Sequence, residues 1–182
     1  MKVLIRSYFL FSLIAFFVIL NFQFKNTRFS FAEKLESTGE YESKSTFLYY
    51  FLKYSEWPNQ KGIKEYKIAI LGKDPFGEKI NILKKQKVLG KTISIHKVKS
   101  VEDALDCHLL FICDSEKDRY QNIFSVLETR PILTVGENEG FLKAGGMINF
   151  IREDKKIRYK IQAAKVKKSK ITISSYLLRL SR

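Results

Sequence analysis

The chain has 182 residues, a formal charge of +14 and two cysteines. Two cysteines without a CxxC pair argue against a zinc or dithiol redox centre. Residues 33–182, the 150 that follow an N-terminal leader, have the length of one domain and bury about 70% of their unfolded surface on folding.

The leader opens "MKVLIRSYFLFSLIAFFVILNFQF", with Lys2 and Arg6 ahead of an uncharged apolar run from Tyr8 to Leu20. That order matches the basic and apolar regions of a secretory signal. The run is short of the roughly 20 apolar residues of a membrane span, although Phe22 and Phe24 extend it. "SFA", Ser30 to Ala32, offers small residues for cleavage, so residues 1–32 read as a signal peptide or, if uncut, an N-terminal anchor. Either delivers the same domain across a membrane. A polar lead-in, 33–43, precedes the domain proper, 44–182.

"FLYYFLKYSEWP", residues 47 to 58, carries six aromatic rings. At 3.6 residues per turn, Phe47, Tyr50, Phe51, Tyr54 and Trp57 share one face, which predicts an amphipathic helix with that stripe turned inward. Pro58 lacks an amide donor, so the helix is expected to stop near Trp57, with the indole partly exposed at its end. "YKIAIL" (Tyr66 to Leu71) reads as a strand, and "GKDPFGEKINILKK" as a helix with Asp74 at the N-cap and Pro75 in the first position. "TISIHKV" alternates as a second strand, and "SVEDAL" is a helical turn capped by Ser100.

"HLLFI" is a buried third strand. Cys107 and Cys113 flank it about 20 Å apart if it is extended, too far for the roughly 7 Å Cα separation that a disulfide requires. They are expected as buried thiols or, in an exported chain, as partners in an intersubunit bridge. "CDSEKDRYQNIFSVLETR" follows as a helix with Tyr120, Ile123, Phe124 and Leu127 on one face and Glu116 and Asp118 favouring its dipole. "PILTVGE" is a fourth strand and "NEGFLKAGG" a loop or helical turn. "MINFIRED" and "KKIRYKI" form a β-hairpin. The tail gives a short helix, a strand at Ile171 to Ser174 and a terminal leucine turn. Strands alternating with helices predict a single α/β domain, a mixed and mostly parallel sheet flanked by helices in Rossmann-like layering, with a C-terminal β-hairpin.

Signals of chemistry are sparse. "GKDPFG" sits where a phosphate loop would lie but lacks the GxGxxG and Walker spacings, and a turn glycine with a capping Asp74 accounts for the same residues. His96 and His108 fall inside strand patterns without an adjacent acid, and no GxSxG, HExxH or EF-hand loop is present. Asp114, Ser115 and Glu116 follow the end of one strand and Glu137 that of the next, the edge where open sheets bind ligands. Convergent carboxylates there suit a cationic ligand, while helix capping is the structural alternative for the first three. Residues 33–151 balance 18 basic against 17 acidic side chains, whereas Arg152 to Arg182 carries 11 basic and two acidic ones. With an export leader ahead of it, that region reads by default as a solvated face and, as a binding surface, suits an anionic envelope surface or an acidic partner rather than nucleic acid.

The order of five stretches, "KSTFLYYFLKYSEWP", "IAILGKDPFG", "CHLLFIC", "RPILTVGENEGFLKAGGMINFI" and "ISSYLLRLS", resembles the YfiR family of periplasmic proteins. The resemblance implies an α/β periplasmic domain without catalytic residues or cofactor. It also implies a homodimer that restrains the periplasmic domain of an inner-membrane diguanylate cyclase and so lowers cyclic di-GMP and biofilm output. Related domains serve as inputs of sensor kinases, so a periplasmic small-molecule sensor is the alternative. Some relatives carry further, paired cysteines, and this chain has only Cys107 and Cys113, which puts redox control by an internal bridge in doubt. The family motif defines no partner residues. By position at strand ends, the candidate ligand or partner residues are Asp74, Phe76, Asp114, Ser115, Glu116, Glu137 and Phe141, with no metal among the expectations.

Overall fold

A computed structural model describes residues 39–181. The leader and most of the polar lead-in lie outside them, so the signal-peptide and anchor readings fall beyond the described residues. From Tyr41 onward the chain forms one compact unit.

Seven strands make the main sheet in the order β3 (Lys87–Val88), β4 (Lys91–Val98), β2 (Tyr66–Leu71), β5 (Leu109–Ile112), β6 (Leu133–Gly136), β7 (Ile148–Glu153) and β8 (Lys156–Ile161). β4, β2, β5, β6 and β7 are parallel, and β3 and β8 close the two edges antiparallel. The mixed, mostly parallel α/β sheet and the late hairpin are therefore as the sequence predicts. Asp154 and Lys155, at φ 48° and 62°, make the hairpin turn in the left-handed region that matches strand twist.

Both faces of the sheet are covered, which is why its strands read as apolar runs. On β2, Tyr66, Ile68 and Ile70 enter one core and Ala69 and Leu71 the other; on β5, Leu109 and Phe111 oppose Leu110 and Ile112. The second core is roofed by α2 (Tyr120–Leu127) and α3 (Phe141–Ala144), with Tyr120, Ile123, Leu127 and Phe141 buried. Over the first core lie the helix at 39–53, here α1, the 3-10 helix Gly77–Lys85 and the tail. The tail consists of α4 (Ala163–Lys168), β9 (Thr172–Ile173) and α5 (Ser175–Leu180).

Several boundaries differ from the sequence reading. α1 is already helical at residue 39, inside the polar lead-in, and stops at residue 53, not at Trp57. Backbone pairing ends it: β1 (Ser55–Glu56) joins β9 antiparallel, Ser55 opposite Ile173 and Glu56 opposite Thr172. The inward stripe is rotated accordingly. Leu48, Phe51 and Leu52 are fully buried, while Tyr50 is 37% exposed. Trp57 is 7% exposed rather than partly open, packed edge-on against Tyr66 at 5.8 Å and His108 at 5.7 Å. The helix expected from Pro75 is a 3-10 helix that begins at Gly77, and the one expected from Asp114 starts as a 3-10 helix, Asp114–Arg119, before α2. Cys107 and Cys113 are free and buried, so no bridge joins them.

Phe51 stacks on Phe150 at 5.7 Å and meets Tyr159 edge-on at 5.0 Å in the first core. Phe51→Ala should therefore lower stability by about 3 to 5 kcal/mol in urea titration, because the neighbouring rings fill the cavity only in part. Trp57 emission in the native protein should be blue-shifted and poorly quenched by iodide. A solvent-like spectrum before the unfolding transition would contradict this packing.

Candidate functional site

Chain order around the sheet reverses between β4 and β5, with β2 as the shared neighbour, so the carboxyl ends of β2 and β5 flank a topological switch point. Gly72 leaves β2 at φ +97°, and a Cβ there would stand 2.4 Å from Ser115 Oγ. That close approach lets the Lys73 N–H donate to Ser115 Oγ at 2.9 Å. The loop after β2 is thereby tied to the loop after β5.

The candidate carboxylates at this edge each have an internal partner. Asp74 accepts the Phe76 N–H at 2.8 Å and pairs with Lys97 of β4 at 2.7 Å. Asp114 accepts from the Asn138 amide beyond β6. Glu116 accepts from Arg119 at 2.8 Å and from the Ser115 hydroxyl at 3.3 Å. Glu137 meets Lys44 of α1 at 2.5 Å and the Tyr41 hydroxyl at 3.3 Å, with the Lys44 side chain 5% and the Glu137 side chain 14% exposed.

Helix capping, the structural alternative for Asp114, Ser115 and Glu116, is not what these residues do. The cap position of that 3-10 helix is Cys113, which makes no side-chain cap bond, and the three side chains bond between or along the loops instead. Asp74 caps a turn rather than a helix.

The two aromatic candidates are core residues. Phe76 is 2% exposed and packs edge-on against Phe111 at 4.8 Å. Phe141 is fully buried against Tyr120 and fills the space that Gly136 and Gly146 leave open. Asp74, Asp114, Ser115, Glu116 and Glu137 thus lie along the carboxyl ends of the strands, with Phe76 and Phe141 buried in the cores on opposite faces of the sheet. Among the described residues, no cluster of three or more His, Cys, Asp or Glu could hold a metal ion.

At the opposite end of the sheet, an open cleft of about 540 Å3 is lined by Trp57, Pro58, Ile63, His108, Pro131 and Ile132, with Lys67 and Asp106 paired at its side. His108 Nδ1 accepts the Lys67 N–H at 3.0 Å. Burial, helped by the Lys67 charge and opposed by Asp106, holds its pKa below the ordinary histidine value. Trp57 Nε1 and the Tyr66 hydroxyl are buried without a hydrogen-bond partner among the described residues. Burial also pushes the Cys107 thiol, which lines the cleft, up to about 12, so it is not a ready nucleophile. Neither histidine is paired with a carboxylate in a catalytic arrangement. His96 is exposed and contacts Ser94 Oγ at 3.1 Å.

Sequence reasoning passed over Tyr41, Lys44, Lys97 and Asn138, which hold the edge together, and the nearness of Trp57 to His108. Lys44 did leave a signal, since it stands four residues before Leu48 on the buried stripe and invites a buried acid. The others come together only through strand order.

A family model described as YfiR/HmsC-like matches residues 41–182. The chain belongs to the YfiR/HmsC-like family. No curated protein matches it. Membership suggests a periplasmic regulator of diguanylate cyclase signalling, from a family that regulates rather than catalyses and acts with a membrane-bound signalling partner. Among the described residues no helix is long and apolar enough to cross a membrane.

Two outcomes follow from this geometry. Glu137→Ala removes the carboxylate that Lys44 and Tyr41 share and should destabilise by about 1.5 to 3 kcal/mol, the range for a hydrogen bond to a charged group, whereas pairing Lys44→Met with Glu137→Leu should recover part of the loss. His108 takes a proton less readily in the folded state than its unfolded value of about 6.5, so its contribution to stability is intact above that pH and declines below it. Melting temperature should fall as the pH drops from 7 toward 5, and the slope should flatten in His108→Gln. An unchanged slope would show that His108 does not carry it.

Proposed function

We propose that this YfiR/HmsC-like domain is an exported, non-enzymatic regulatory module that restrains an inner-membrane diguanylate cyclase through the cyclase's periplasmic domain. The observation that carries this reading is the family match across residues 41–182. The engaged carboxylates of the sheet's carboxyl edge support it, because they build a rigid body rather than an open reaction centre. In this reading the leader, residues 1–32, delivers the domain to the periplasm, the lead-in 33–43 joins it to the domain that follows, and the domain acts as a homodimer. Asp114, Ser115, Glu116, Asp74 and Glu137 mark an edge available to the partner, and Phe76 and Phe141 support that edge from below.

Deleting the gene should raise cellular cyclic di-GMP and biofilm, and plasmid-borne protein should restore both. Unchanged cyclic di-GMP in the deletion strain under all envelope conditions would sink the proposal.

The cleft at the amino end of the sheet favours a second reading, a small-molecule sensor domain acting on another envelope partner such as a sensor kinase. Its volume lies within the roughly 300–1,000 Å3 of ligand sites. Trp57, the only tryptophan, lines it and reports occupancy directly. In a thermal-shift screen of amino acids and wall fragments, a ligand at about 100 times its Kd would add about 2.7 kcal/mol of stability, whereas a domain that acts only by protein contact stays silent.

A further inference from the structure

β4 runs from Lys91 to Val98, but β3 pairs with only its first two residues, Val88 opposite Lys91 and Lys87 opposite Thr92. From Ile93 onward β4 pairs with β2 on its inner side, and no other described strand lies outside it. Two observations fix which backbone groups face that open side. Leu89 and Gly90, at φ 50° and 79°, make a two-residue hairpin loop whose closing pair is hydrogen-bonded, so Lys91 turns its N–H and C=O outward to β3. On β2, the Lys67 N–H and C=O both face His108. The groups of Tyr66 and Ile68 on either side of Lys67 therefore face β4 and hold Ser94, the residue in register with Lys67. Backbone direction alternates along a strand, so the groups of Ile93, Ile95 and Lys97 point outward, and among the described residues none of them has a hydrogen-bond partner.

Such an open row of donors and acceptors is a template for another strand. The opposite edge of the sheet is guarded against that use. On β8 the outward groups belong to Ile157, Tyr159 and Ile161, because Lys156 closes the Asp154–Lys155 loop onto Glu153. A two-fold axis at Arg158, Tyr159 or Lys160, the middle of that strand, sets Arg158 or Lys160 directly against a cation of the copy, which is destabilising. β4 has no such bar. About a two-fold axis at His96, Ile95 lies opposite the partner's Lys97, Ser94 opposite the partner's Val98 and Ile93 opposite the partner's Lys99, so no two lysines meet. Lys97 is already held by Asp74 of its own chain at 2.7 Å. β3 places the axis: centred on Ile95 instead, the partner's Val98 would face Thr92, where Lys87 stands.

We propose that two copies of this domain pair β4 to β4, antiparallel about His96, and so join their sheets into one. Ile95 and the partner's Lys97 then exchange both N–H···O bonds, as do Lys97 and the partner's Ile95, and one isologous contact closes both open rows. A second copy suits this edge because the axis that fills one row fills the other, leaving only the charged β8 edges, so assembly stops at two. The inference rests on the homodimer of the regulatory reading and names its interface.

Oxidative cross-linking of the full chain tests it. His96 is exposed and contacts only Ser94 Oγ. His96→Cys places a thiol on the axis, opposite its own copy in a non-hydrogen-bonded pair with Cα atoms about 4.5 Å apart, inside the disulfide range. Cys107 and Cys113 are buried and should not compete. The variant should run as a covalent dimer without reductant, and Ser94→Cys, on the same strand and face but off the axis, as a monomer. In the parent chain, exchange of the Ile95 and Lys97 amides should slow as concentration rises, while the Ser94 and His96 amides, bonded within the sheet, stay slow throughout. Ile95→Pro removes an outward N–H that the monomer does not use and should weaken association about tenfold or more. If that variant does not fold, the cross-link and the exchange still decide. A chain that is dimeric by light scattering, yet neither cross-links through His96→Cys nor protects those amides, has its dimer elsewhere, which overturns this inference and leaves the homodimer standing. Equal cross-linking of His96→Cys and Ser94→Cys overturns it as well. A chain that is monomeric at every concentration overturns both.

Discussion

The seating of α1 on the sheet is the contact on which the remaining structure depends. Without it, the face formed by Ile68, Ile70, Leu109, Phe111, Leu133 and Val135 would keep only the 3-10 helix and the tail as cover. A helix of this length is marginal alone in water, so its form depends on that contact. Three devices hold it: Leu48, Phe51 and Leu52 in the core, the Lys44–Glu137 pair at one end, and the β1–β9 pairing at the other. The last device also binds the tail, which Tyr159 fixes further by donating its hydroxyl to the Leu177 carbonyl at 3.0 Å. One helix thus joins the sheet's carboxyl edge and the tail.

This arrangement accounts for the functional character of the domain. An open parallel sheet ordinarily binds ligands at its switch point, but here the loops at that point are stitched to each other and to α1, β4 and β6. Lys97, Asn138, Arg119 and Lys44 take up the carboxylates that might otherwise have met a ligand. What stays available is surface: the rim of those loops and the amino-end cleft beside Trp57. A regulator that works by contact needs such surfaces on a rigid body, in keeping with a YfiR/HmsC-like chain.

Much of the fold was legible in the sequence because the strands are punctuated by turn residues and their faces alternate. Tyr66 to Leu71, the buried "HLLFI" and the terminal hairpin were each readable at that level. The aromatic stripe was only half legible. Its period announced a helix, but its rings drew attention from Leu48 and Leu52, and no local signal foretold that Ser55 would pair with Ile173, 118 positions onward. Propensity for a longer helix yielded there to strand pairing. For the candidate site, the sequence located residues at strand ends but not their partners. Strand ends located Asp74, Asp114 and Glu137, yet whether a carboxylate is free or engaged depends on partners from other elements, and a phenylalanine at a loop can turn into the core as Phe76 and Phe141 do.

Native-state hydrogen exchange measures the central claim most directly, because each amide reports the free energy of the opening that exposes it. If α1 and the tail close the sheet, amides of residues 48–53 and of Ser174, whose N–H bonds the Tyr54 carbonyl, should exchange through the same opening as those of β2 and β5, with one shared dependence on denaturant. Fast exchange in residues 48–53 while β2 and β5 remain protected would contradict the account and leave the sheet stable without its helix.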